Sequence, residues 1–164
     1  MTIGLVSDTH GWLHPKLPEV FAGCDLIVHA GDVGTRGAVL EGLAAVAPVR
    51  AVYGNVDGPP VRTTWPEWDR FEAGGLVFLV THIGGRPGRW APGVAARLRE
   101  EQPDVFVCGH SHILQLERTD GGILFINPGA AGREGFHQVK TCVRLHVEDG
   151  KAQRAEVVHL DEAA

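Results

Sequence analysis

Apolar positions in this chain fall into short runs that stop abruptly at polar, glycine-containing turns. Ile3 to Val6 is such a run, ending at Ser7-Asp8, and reads as a buried strand followed by a loop. Leu26 to Ala30 and Val49 to Tyr53 repeat the pattern, ending at Gly31-Asp32 and Gly54-Asn55. Between them, Pro15 to Ala22 carries Leu17, Val20 and Phe21 on one side, with Gly23 as a stop. Arg36 to Val46 places Val39, Leu40, Leu43 and Ala44 at three- and four-residue spacing. Both segments are expected helices. Pro59 to Trp68 holds three of the ten prolines and is expected to be a loop. Ile83 to Trp90, rich in Gly, Pro and Arg, reads as a long loop, and Val94 to Glu101 as a helix.

The second half turns to strands. Asp69 to Glu72 and Leu76 to Thr81 flank Gly74-Gly75, a hairpin signal. Val105 to Cys108 is a further strand ending at Gly109-His110. Ile113 to Arg118 and Ile123 to Asn127 flank Asp120-Gly121-Gly122, and Thr141 to Val147 and Ala152 to Leu160 flank Glu148-Asp149-Gly150. This order, βαβαβ followed mainly by hairpins, predicts an α/β fold with two packed β-sheets flanked by helices. The first three strands are unbroken apolar runs, as expected when both faces of a sheet are covered.

Length and composition narrow the picture. A chain of 164 residues with no repeat or linker reads as one domain over 1–164. A net charge of −5 and no basic run argue against a partner held by charge alone, such as long nucleic acid. A small phosphorylated substrate stays compatible, because bound metals bring local positive charge. Cys24, Cys108 and Cys142 have no metal-like spacing, and their odd number with no leader-like start points to the cytoplasm. No segment is apolar enough to predict a membrane span.

The turns that end the strands carry the chemistry. They supply Asp8 and His10, then Asp32, Asn55, His82, His110 and His112: two carboxylates, one amide oxygen and four imidazoles. Manganese, iron and zinc accept these donors. Ligands at strand ends converge on one sheet edge, and the set is large enough to divide over two ions with Asp32 shared. Taken singly, each has an ordinary reading. Asp8 is a helix N-cap, Gly31-Asp32 and Gly54-Asn55 are turns, His82 is a core histidine. The ordered set is what points to a binuclear site, which clamps phosphate and lowers the pKa of a bridging water. His29, inside a strand, is expected to support the site from a buried position. His14, His137, His146 and His159 are expected at the surface or in structural roles. Arg86, Arg89 and Arg133 are candidate phosphate contacts. Trp12 is a candidate pocket wall, and Trp65, Trp68 and Trp90 are candidate packing or homodimer contacts.

The set Asp-x-His, Gly-Asp, Gly-Asn, His and Gly-His-x-His, spread from Ser7 to Gly129, resembles the calcineurin-like metallophosphoesterases. Ser7-Asp8-Thr9-His10-Gly11, Asn127-Pro128-Gly129 and the small size look like the compact bacterial and archaeal phosphodiesterase branch. The resemblance implies a four-layer α/β/β/α sandwich. It implies one metal on Asp8, His10, Asp32 and His112, and the other on Asp32, Asn55, His82 and His110. It implies hydrolysis of a small phosphodiester by a metal-activated hydroxide, with Asp8, Asp32, Asn55, His110 and His112 closest to the chemistry. Manganese is the expected activator, with nickel, iron or zinc as alternatives. Phosphomonoesterase activity is the runner-up. A protein-binding scaffold without turnover is the other, by likeness to a retromer subunit of similar fold. Many family members carry His after Gly-Asn, where this chain has Val56, a residue that cannot transfer a proton; Asp57 beside it is retained, with orienting a ligand histidine as its expected role.

Overall fold

The computed structural model describes residues 1–35 and 38–162. The three strands of the first half form as read: β1 (Thr2–Val6), β2 (Leu26–His29) and β3 (Val49–Ala51). Helices α1 (Leu17–Val20) and α2 (Val39–Ala44) follow β1 and β2, each shorter than its expected segment. The expected start of α2 at Arg36 lies outside the described residues. Two loops are corrected. The proline-rich segment forms one helical turn, α3 (Val61–Thr64), entered from Pro60 and anchored by buried Val61. The segment from Ile83 to Trp90 folds into a two-stranded ribbon, β6 (Gly85–Arg86) and β7 (Arg89–Trp90). A proline suits the start of a helix, where no intrahelical donor is required.

The remaining elements are β4 (Trp68–Ala73), β5 (Leu76–Thr81), α4 (Val94–Glu101), β8 (Val105–Val107), β9 (Leu114–Arg118), β10 (Leu124–Pro128), β11 (Thr141–Glu148) and β12 (Lys151–His159). The predicted hairpins β4–β5, β9–β10 and β11–β12 all form. Two five-stranded sheets result, in the orders β12-β11-β1-β2-β3 and β4-β5-β8-β10-β9. In the first, β1, β2 and β3 are parallel; in the second, β5, β8 and β10 are parallel.

Side-chain alternation along these strands assigns three apolar interfaces to four layers. Ile3, Leu5, Phe78, Val80, Val105, Val107, Val143 and Leu145 meet between the sheets. Their sequence neighbours point the other way. Val6 and Ile27 pack on Leu17, Phe21 and Leu43 of the first helical layer. Leu79, Phe106 and Phe125 pack on Val94 and Leu98 of α4. The architecture is the α/β/β/α sandwich.

Phe106 is fully buried and lies against Trp68, Trp90 and Phe125, with ring centroids 6.3, 5.6 and 6.0 Å away. Phe106→Ala is expected to destabilise the fold by roughly 3–5 kcal/mol through lost burial and an unfilled cavity. Denaturant unfolding measures this; a loss under about 1 kcal/mol would mean that the α4 interface is not tightly packed.

Candidate metal centre

Six parallel strands in two sheets end at one edge, and that edge gathers the polar turns. Asp8 follows β1, Asp32 follows β2 and Asn55 follows β3; His82 follows β5, and His110 and His112 follow β8. Backbone hydrogen bonds continue past the strand ends and keep these turns in step. Asp8 N donates to Gly31 O, His10 N to Asp32 O, and Gly109 N to His82 O, each at 3.0 Å.

The motif glycines have a packing reason. A Cβ on Gly31 would lie 2.6 Å from His82 Nδ1; one on Gly54 would strike Asp32 Oδ1, and one on Gly109 would strike Ser7 Oγ. Each glycine is the floor on which another strand's polar turn rests. Five of the seven candidate ligands hold left-handed backbone: Asp8 (φ 55°), His10 (48°), Asp32 (50°), His110 (70°) and His112 (60°). Only eight non-glycine residues do so among those described. Such conformations cost about 1–3 kcal/mol each and persist where the surroundings enforce them, typically at functional sites.

The donors form two groups, Asp8 with His10 and His112, and Asp32 with His82 and His110, each with ligand atoms within 4.8 Å of one another. Asn55 joins the second group, its Oδ1 3.0 Å from His110 Nδ1. Each carboxylate has one oxygen committed to the protein. Asp8 Oδ2 accepts from Ser7 Oγ (2.7 Å) and His110 N (3.1 Å); Asp32 Oδ1 accepts from Val56 N (3.0 Å). The other oxygen faces imidazole nitrogens. Asp8 Oδ1 is 3.2 Å from His112 Nε2 and 3.8 Å from His10 Nε2. Asp32 Oδ2 is 3.1 Å from His82 Nε2 and 3.9 Å from His10 Nε2, so it touches both groups.

The ring orientations show what these atoms require. His82 Nδ1 is 2.7 Å from Ala30 O, which commits its proton to that carbonyl and leaves Nε2 facing the carboxylates. His82 Nε2 and Asp8 Oδ1 are buried and make no hydrogen bond. Unpaired lone pairs converging in a buried site need a cation between them, so the donor set fits divalent metal. Without metal, protons fill this need. Burial alone would raise the Asp8 and Asp32 carboxyls, but Asp8 beside His112 and His82, and Asp32 beside His82, are both held below the usual carboxylate range. Burial alone would depress His82, but Asp32 and Asp8 raise it; His112 is raised by Asp8. His110 is lowered by burial and by the neighbouring His82.

Residues around the donors hold them in place. His29 is fully buried, with Nδ1 accepting from Gly31 N (3.1 Å) and Nε2 facing Thr9 Oγ1 (2.9 Å), which itself donates to Val33 O. Burial pushes its pKa down to about 4, so it is a neutral brace. Asp57 accepts from the amides of Val33, Gly34 and Gly54 at 2.8–3.1 Å. It therefore braces two loops and does not orient a ligand histidine, the role its place beside the site suggested. Asn127 Nδ2 donates to Gly109 O and Ser111 Oγ, both at 3.0 Å, fixing the Gly-His-Ser-His turn.

His137 is the residue that sequence reasoning missed. Its Nε2 lies 2.8 Å from Gly132 O and its Nδ1 3.0 Å from His112 Nδ1. With the Nε2 proton donated to that carbonyl, Nδ1 accepts from His112 and leaves His112 Nε2 bare toward Asp8. The signal was its closeness in sequence to the Asn-Pro-Gly turn, which alone does not bring it back to a ligand. Among the other expectations, Trp12 lies under the Arg133 guanidinium at 3.9 Å, and Arg86 and Arg89 are exposed on the ribbon. His14 is buried and faces Asp161 at 3.3 Å. Trp65 and Trp68 pack against the two helix-facing cores.

The comparisons with known proteins agree with this geometry. A family model described as a calcineurin-like phosphoesterase superfamily domain matches residues 1–150. The chain belongs to that superfamily. A probable metallophosphoesterase of Methanocaldococcus jannaschii is 32% identical, covering 91% of this chain and 77% of its own. A phosphodiesterase of the same organism is 31% identical, covering 79% of this chain and 83% of its own. Among solved structures, Vps29 of Chaetomium thermophilum superposes with a TM-score of 0.75 at 19% identity, covering 97% of each chain. No helix of the described residues is long and apolar enough to cross a membrane.

Two outcomes test the centre. Because His82 and His112 are raised in the metal-free protein, protons compete with metal for their Nε2 atoms. Affinity should be full above their raised pKa values and fall as pH drops through them. Titration with Mn²⁺ from about pH 8 to about pH 5.5 should show this, with proton release on binding; a flat profile would exclude these nitrogens as ligands. His137→Ala should weaken one ion by roughly 10–100-fold and leave the other, with partial rescue by His137→Gln. Equal weakening of both ions, or of neither, would contradict the His112 relay.

Proposed function

We propose that this protein is a binuclear metal-dependent phosphodiesterase that hydrolyses a small phosphodiester. The observation that carries the reading is the pair of bare carboxylate oxygens, Asp8 Oδ1 and Asp32 Oδ2, each facing imidazole nitrogens at 3.1–3.9 Å. Asp8, His10 and His112 would hold one ion and Asn55, His82 and His110 the other, with Asp32 between them. Two divalent ions so held supply Lewis acidity to the phosphoryl oxygens and a nucleophile from water at neutral pH. Manganese is the activator we favour, since these nitrogen and oxygen donors accept it, while nickel, iron and zinc suit the same set. The related phosphodiesterase of M. jannaschii supports diester over monoester chemistry. The three cysteines are free and buried, which suits the reducing cytoplasm we assign to it.

The chain's own residues set the rest. Ser7 Oγ and the His110 amide fix Asp8, and the Val56 amide fixes Asp32. His110 is exposed at the mouth and lowered in pKa, so its ring is neutral at pH 7 and free to coordinate. The Val56 side chain is 59% exposed at that mouth and donates no proton to a leaving oxygen. Turnover therefore depends on a leaving group that departs as an anion, and activated aryl diesters should be the best simple substrates.

With Mn²⁺, the protein should hydrolyse bis(p-nitrophenyl) phosphate and lose that activity in EDTA. Asp32→Asn should cost more than the roughly 10–100-fold expected for an outer partner, and weaken both ions. Activity that survives chelation would exclude metal dependence. Hydrolysis of aryl monoesters alone would install the phosphomonoesterase reading. Tight metal binding with no turnover of either ester class would favour the scaffold reading, the one that likeness to Vps29 keeps in view.

A further inference from the structure

Six large apolar side chains are exposed among the described residues: Met1, Val56, Ile83, Ile113, Phe136 and Val139. Three stand one peptide bond from a candidate donor, and a fourth one peptide bond from a histidine that touches one. Val56 follows Asn55, Ile83 follows His82, Ile113 follows His112, and Phe136 precedes His137, which touches His112. Neighbouring Cα atoms are about 3.8 Å apart, so the backbones of Val56, Ile83 and Ile113 each lie one residue's reach from a donor, and that of Phe136 one residue from the histidine behind His112. Their exposures are 59%, 44%, 65% and 104%. Isolated exposed apolar residues are ordinary on any protein. Here four separate chain segments each carry one beside a donor or beside the histidine that touches His112, and a gathering of exposed apolar residues favours a contact surface.

We infer that this rim is the subsite for an ester arm, and that the substrate is a diester with a flat aromatic or otherwise apolar group on at least one arm. The inference rests on the diesterase reading above. A phosphorus atom held at the donors has its two ester arms directed outward, and the first surface they meet is the rim. None of the four rim residues carries a charge. The Arg133 guanidinium sits over the Trp12 ring, two residues past His10, which gives this charge an aromatic partner. The exposed carboxylate of Glu134, 3.9 Å from His10 Nδ1, disfavours an arm bearing additional phosphate or carboxylate. Four of the six exposed apolar residues adjoin the donors or His137 in the chain, which matches a small ligand centred on its phosphate. Val56 joins two requirements in one residue, because it withholds a proton from the leaving oxygen and offers apolar contact to the arm.

The test uses the Mn²⁺-loaded protein and two diesters with the same p-nitrophenolate leaving group. One retains a methyl arm and the other a naphthyl arm. The naphthyl ester is expected to have a kcat/KM at least about tenfold higher, chiefly through KM. Ile113→Ser and Phe136→Ser should bring the ratio of the two esters toward one. Both side chains are exposed, so thermal melts should confirm that the fold is kept. Equal kcat/KM on both esters overturns the rim subsite while leaving the diesterase reading intact. Turnover of neither overturns the diesterase reading. Fluorescence titration of the naphthyl ester then still decides the rim, since absence of binding overturns it. Light scattering supplies the last arm. A dimer that Ile113→Asp dissociates would assign the rim to a second copy of this chain, and would also overturn the subsite.

Discussion

The structure is organised around an electrostatic problem at one sheet edge. Two carboxylates and several imidazoles are drawn together until Asp8 Oδ1 and His82 Nε2 are buried without a hydrogen bond. Removing an ionised carboxylate from water costs several kcal/mol unless a partner replaces the lost solvation. A proton or a divalent cation can replace it, but only if the donors are held at fixed separation. Everything near the site serves that end. One oxygen of each carboxylate is tied to a hydroxyl or a backbone amide, which aims the other. The left-handed backbone at five candidate ligand positions would relax if the surrounding packing allowed it. Three apolar interfaces, one between the two sheets and one on each outer face, prevent that relaxation.

How much of this was legible in the sequence follows from how local each signal is. The strand runs were readable because continuous apolar stretches are themselves the signature of sheets covered on both faces. The donors were readable because each directly follows such a run, so its place at a strand's end needs no knowledge of the tertiary path. The hairpin at Gly74-Gly75 was readable for the same reason: both glycines take positive φ, 59° and 80°. The turn at α3 was not, because its prolines signal a loop whereas Val61 finds a buried seat only once the chain has folded back. The ribbon β6–β7 was masked by its glycines, which a propensity reading counts against any strand.

His137 and the rim show a different limit. His137 acts on a residue 25 positions away, and no periodicity connects the two. Asp57 is the converse case, since its place beside the site suggested a histidine partner and the fold gave it backbone amides instead. The rim was hidden because exposure is a tertiary property. Ile83 and Ile113 read in sequence as ordinary apolar residues at element boundaries, and only the structure turns them to solvent beside the donors.

The two donor groups are also built differently. His82 is aimed by Ala30 O, a backbone carbonyl at the end of a central strand, in a buried setting. His112 is aimed by His137, a side chain on a loop that returns from the Asn-Pro-Gly turn to cross the site. That loop is pinned where it starts, with Ala131 N on Ser7 O and Gly132 N on Asp8 O, both at 3.0 Å. It passes so close that a Cβ on Gly135 would strike the His112 ring. One group is thus an extension of the sheet, and the other a product of loop packing. A backbone carbonyl in a sheet moves only with the sheet, whereas a loop side chain moves with the loop. The loop that orients His112 also carries Phe136 at its exposed tip. A ligand that settles on Phe136 would therefore bear on the same short segment that aims the His112 nitrogen at Asp8, while the sheet-built half stands apart from that contact.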